Sequence, residues 1–225
     1  MSLLLPLLAV VIGYAIAFFI KYSAGALNML LAFSGAFLLS ITVLEFIPHT
    51  YSHQVENIGL FILFGILIQL VLEFLSGGAE HGHVHGEKNT AKFPWSLFIS
   101  LCLHSLLEGF PIGENTNLML AVMVHKIPVS VIITSFLFKT NLSTYKVMLF
   151  VLLFALMTPL GTFLGMYTDF FDSVRVYIDA IVIGIFLHIS TTILFESSKN
   201  HSFNAGKFTV ILIGFVIAYF LGHSH

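Results

Sequence analysis

Apolar residues gather along this chain in long runs separated by short polar or glycine-containing breaks. A helix needs about 20 such residues to cross the hydrocarbon layer of a bilayer. The pattern predicts eight spans, at approximately 3–20, 27–47, 58–75, 94–113, 118–138, 145–166, 176–195 and 207–222. Runs such as Leu60-Phe61-Ile62-Leu63-Phe64 are apolar on every side, whereas a barrel strand alternates apolar and polar residues. The expected fold is therefore an all-α integral membrane protein, with residues 1–225 forming one transmembrane domain. The first run precedes Ala24-Gly25-Ala26, a small-residue stretch resembling a cleavage site. No basic residue stands before its apolar core, and Lys21 stands directly after it. A secretory leader has the opposite charge order, so the segment reads as a retained span.

Basic residues orient the spans. Lys21, Lys88, Lys92, Lys139, Lys146, Lys199 and Lys207 all follow odd-numbered spans, while Arg175 alone lies on the other side and Lys126 sits within span five. Basic loops stay in the cytoplasm. Both termini are then expected outside it, and 76–92 becomes a flexible, histidine-containing cytoplasmic loop. Spans two and seven also share a pattern: Gly35-x-Phe37-Leu38, Thr42, Leu44 and Phe46 against Gly184-x-Phe186-Leu187, Thr191, Ile193 and Phe195. An even and an odd span run in opposite directions, so the match suits an inverted repeat of spans 1–3 and 6–8 around central spans 4 and 5. Chance likeness among Phe- and Leu-rich helices explains it equally well.

Composition narrows the class. The chain is 58% hydrophobic and 9% charged, with a mean hydropathy of +1.00, too little polar surface for a soluble globule of this size. A formal charge of −2 with singly scattered Lys and Arg gives no basic face for phosphates, which excludes nucleic acid as a partner. Cys102 is the only cysteine. Neither an internal disulfide nor a thiolate cluster is available, so any metal must be held by nitrogen and oxygen.

Such ligands stand in spans four and five. Ionisable side chains in apolar segments are costly and are expected to face a protein interior or a wet path. His104 and Glu108 are four apart, on one helical face and about one turn from each other. His125 lies about 10 Å below the start of span five near Leu118, and Glu108 about 10 Å below Asn115. Antiparallel neighbours would thus bring two imidazoles and a carboxylate to one level. Pro128 frees a backbone carbonyl near His125, and Pro111 does the same one turn after Glu108. Each of these features also has a plainer reading, as a hydrogen-bonded interior histidine or a chance His-x-x-x-Glu.

The pair of motifs His104-Ser105-x-x-Glu108-Gly109 and His125-Lys126-x-Pro128 resembles the fourth- and fifth-helix motifs of the ZIP (Zrt/Irt-like) metal transporters. The eight spans, external termini and a His-rich loop after span three are similar too. The resemblance implies a binuclear-type transport site in mid-bilayer, substrates among Zn²⁺, Fe²⁺ and Mn²⁺, movement toward the cytoplasm, and a homodimer, placed in the plasma membrane. The metal would be substrate, with no cofactor. Two departures stand out: Lys126 takes the place of an acidic residue and Val129 that of a further His or Glu. An ammonium can substitute for a neighbouring cation, so one metal is expected rather than two. In span two, Glu45-x-x-Pro48-His49 carries the family's ligand types in exchanged order, as an entrance or as a polar helix end.

Elsewhere, His81, His83 and His85 alternate with glycine and valine in the cytoplasmic loop, as a metal-capture tether or as a plain linker. His188 in span seven lines the exit path or is a satisfied interior histidine. Three functional classes remain: a divalent-metal transporter, an intramembrane metal-dependent hydrolase using the same ligands, and a structural subunit. The His-Glu-x-x-His spacing of zinc proteases is absent, which favours transport.

Overall fold

The computed structural model describes residues 3–20, 23–78, 95–113, 115–196 and 205–222. All regular structure among them is helical. In order these are α1 (Leu5–Phe19), α2 (Ala24–Ile41), α3 (Ile47–Ser52), α4 (Ile58–Ser76), α5 (Trp95–Gly109), α6 (Thr116–Phe138), α7 (Thr144–Tyr167), α8 (Arg175–Glu196) and α9 (Ala205–Gly222). A π-helical turn, Thr42–Phe46, joins α2 to α3, making one apolar rod from Ala24 to Ser52. Among the described residues seven helical segments are long and apolar enough to cross a membrane, and α1 adds a shorter apolar helix of 15 residues.

Two helix starts carry side-chain caps. Ser23 Oγ accepts from the Ala26 amide at 3.1 Å, and Asn115 Oδ1 accepts from that of Leu118 at 2.9 Å, each satisfying one orphan donor of a first turn. Gly77, at φ +66°, closes α4 in the left-handed conformation that favours glycine. Large apolar side chains such as Phe74, Phe170 and Phe195 stay exposed on the perimeter, where lipid rather than water would meet them.

Packing is concentrated in four helix pairs: α4 with α8, α1 with α6, α5 with α7, and α2 with α9. Glycines set the closest of these. A Cβ on Gly65 would lie 2.0 Å from the Ile181 carbonyl oxygen, and one on Gly161 2.0 Å from that of Leu106. Close backbone approach at small residues is how helices associate where lipid tails remove the hydrophobic drive between them. In contrast, α5 and α6 are not among the closely packed pairs. The sequence suggested direct neighbours; the backbones are instead braced by other helices, and polar side chains bridge the space between them.

Candidate metal centre

Glu108 is the centre of this bridge, completely buried on the last turn of α5. Its two oxygens have different surroundings. Oε1 is bound by the Lys126 ammonium from α6 and lies 3.0 Å from the Thr158 hydroxyl of α7. Lys126 Nζ also donates to Ser105 Oγ at 2.6 Å and sits 4.7 Å from the Phe154 ring centroid, a cation–π distance. Thr158 Oγ1 is 3.0 Å from the Ser105 carbonyl oxygen and 3.1 Å from Ser105 Oγ. Its single proton is therefore shared among several acceptors. Thr158 reaches this far because Gly109 and Gly161 let α5 and α7 approach: a Cβ on Gly109 would meet the Thr158 carbonyl oxygen at 2.3 Å.

Oε2 takes no part in these bonds among the described residues and faces His104 Nε2 at 3.4 Å. A tetrahedral ion held by one imidazole nitrogen and one carboxylate oxygen at ~2.0–2.1 Å separates them by ~3.3 Å. The His104–Glu108 edge already has the spacing of a shared ion. His125, buried on α6, stands beside it: the two imidazole centroids are 6.5 Å apart and their planes meet at 87°. Two rings on one tetrahedral ion would be ~5 Å apart, so His125 must swing inward by about an ångström or more. As the side chains stand, no group of three His, Cys, Asp or Glu among the described residues is close enough to hold an ion.

Residues Glu45 and His49 lie apart from this centre. Glu45 leaves the π-helical turn and accepts from Asn117 Nδ2 through both oxygens at 3.1 Å, at the bundle end where α6 begins. His49 is exposed on α3. His188 is elsewhere again, with Nε2 2.5 Å from Glu73 Oε2 on α4. The loop residues His81, His83 and His85 lie outside the described residues. Sequence reasoning passed over Thr158, Glu73 and Asn117. A carboxylate inside span three was a signal on its own, and Gly161-x-x-x-Gly165 beside Thr158 marked a close-packing face.

Comparison with known proteins bears on this arrangement. The family model described as ZIP Zinc transporter matches residues 79–222, well over half of the chain. The chain belongs to the ZIP zinc transporter family. The matched stretch contains all of α5 to α9, and so every residue around Glu108. Among curated ZIP relatives, Zinc transporter ZIP1 of Danio rerio is 29% identical over 160 residues, 65% of this chain and 51% of its own length. Zinc transporter ZIP1 of Plasmodium falciparum (isolate 3D7) is 30% identical over 136 residues, 54% of this chain and 38% of its own. Protein zntD of Dictyostelium discoideum is 28% identical over 164 residues, 61% and 24% respectively. The chain thus spans about half or less of the length of these relatives. The family is described as zinc transporters, and the long apolar helices among the described residues suit a multi-pass membrane protein.

Proposed function

We propose that this chain carries a divalent transition-metal ion, Zn²⁺ first with Fe²⁺ and Mn²⁺ as alternatives, across the membrane toward the cytoplasm, through a site built from His104, Glu108 and His125. The observation that carries the reading is the His104-facing edge of Glu108: a buried carboxylate oxygen turned away from Lys126 and Thr158, at shared-ion distance from a buried imidazole. Imidazole and carboxylate together suit borderline divalent ions. Lys126 holds the other oxygen and supplies the positive charge that a second cation would bring, which supports one bound ion rather than two.

The packing scheme supports an inverted repeat. Exchanging α1 with α7, α2 with α8, α4 with α9 and α5 with α6 turns the α4–α8 pair into α9–α2, and the α1–α6 pair into α7–α5. Both members of each exchange are close pairs, the arrangement many transporters use around a midplane site. Glu45 and His49 belong to the outer entrance in this reading, and the Glu73–His188 pair to the path beyond the centre. The chain works as a homodimer in the plasma membrane, with both termini outside the cytoplasm.

Ligands must be deprotonated to bind, so loading releases protons and weakens in acid. The test is ion uptake by purified protein in liposomes, with competition among first-row metals. Zn²⁺ uptake is expected, and His104→Ala or Glu108→Ala is expected to abolish it while the protein stays folded. Uptake unaffected by either change overturns the proposal.

A further inference from the structure

A second pair of imidazoles lies far from Glu108. His49 and His53 are one helical turn apart at the end of α3, and both are exposed. Their ring centroids are 5.2 Å apart with an interplanar angle of 81°. Two imidazoles on one tetrahedral ion, each nitrogen at ~2.0–2.1 Å from it, have centroids ~5 Å apart. This pair therefore already has the spacing that His104 and His125 must still close to reach. Exposure weighs against a packing role, because rings left outside the core bury little apolar surface. His49 sits in α3 and His53 is its cap, still in the right-handed helical region at φ −71° and ψ −7°, so little further ordering is needed to chelate.

The surroundings suit a cation. Glu45 stands about one turn before His49, at the same end of the bundle, with its carboxylate oriented by Asn117 and close to Gly222 at the end of α9. We propose that His49 and His53 form a two-imidazole site for a borderline divalent ion such as Zn²⁺, Ni²⁺ or Cu²⁺, with water completing the shell. No third protein ligand is in reach among the described residues. Two nitrogens and water release an ion more readily than a closed four-ligand site, so the site captures and hands over rather than stores. It extends the transport reading without depending on it: binding is measured here by itself.

Cu²⁺ is the probe. The full chain carries Cys102→Ser and Glu56→Cys, with a nitroxide on the exposed position 56, and His223→Ala and His225→Ala to remove the tail imidazoles. Micromolar Cu²⁺ is expected to broaden the nitroxide spectrum, and His49→Ala or His53→Ala alone is expected to raise the Cu²⁺ needed at least tenfold. Should either alanine variant fail to fold, the corresponding His→Asn change gives the same readout. Broadening at unchanged Cu²⁺ in both single variants, or no broadening in the parent, overturns the proposal. Broadening in a protein that moves no metal leaves this site standing and sinks the transport reading instead.

Discussion

A carboxylate removed from water is tolerable only when its charge is matched and its lone pairs are occupied. Glu108 meets that condition through one oxygen, which takes Lys126 and Thr158, and leaves the other turned toward His104. Removing the ammonium leaves a buried charge unpaired, a loss of about 3–5 kcal/mol. Lys126→Met is therefore expected to lower the melting temperature of the metal-free protein, with added Zn²⁺ restoring it. In uptake assays KM should fall about tenfold or more while the maximal rate also falls, because an ion no longer opposed by the ammonium leaves slowly. Lys126→Arg keeps the charge and should retain most of the original KM. At Thr158 the hydroxyl is the active part: Thr158→Val is expected to lower uptake and Thr158→Ser to keep it. The cluster that α5 and α6 bring together was legible in the sequence, since His104, Glu108, His125 and Lys126 interrupt apolar runs. Thr158 was not, because a threonine inside a membrane helix is an ordinary residue until the partner it faces is known.

Among the helices, boundaries matched the apolar runs closely. Span three, expected at 58–75, is Ile58–Ser76, and span five, expected at 118–138, is Thr116–Phe138. The bilayer's demand for an internally bonded backbone leaves little freedom at this scale. Which helices touch was less legible, because it depends on where small residues let backbones meet. Gly109 and Gly161 make the α5–α7 contact, and Gly65 and Gly184 the α4–α8 contact. Gly161→Ala sets a methyl against the Leu106 carbonyl and is expected to destabilise the fold by about 1–3 kcal/mol, read as a lower melting temperature in detergent. It should also reduce uptake, since α7 would carry Thr158 away from Glu108. The π-helical turn before Pro48 was equally hidden. It inserts one residue into the turn and re-aims the side chains of α3, a common use of such bulges near functional sites.

For the molecule as a whole, charge asymmetry gave an orientation that a labelling experiment can measure. Cysteines placed at Gln54 and at Gly82, in a Cys102→Ser background, are expected to react with an impermeant thiol reagent from opposite faces of the membrane, Gly82 from the cytoplasmic side. A divalent ion moving inward gains about 4.6 kcal/mol per 100 mV of inside-negative potential, so uptake into liposomes should rise with an imposed potential of that sign. The arrangement of the central site has a mechanical corollary. Half of it rides on α5, clamped to α7, and half on α6, clamped to α1, with Lys126 reaching from α6 to Ser105 and Glu108 on α5. A covalent staple joining α5 to α6 should therefore arrest turnover while sparing ion binding. The same staple between α5 and α7 should pass unnoticed.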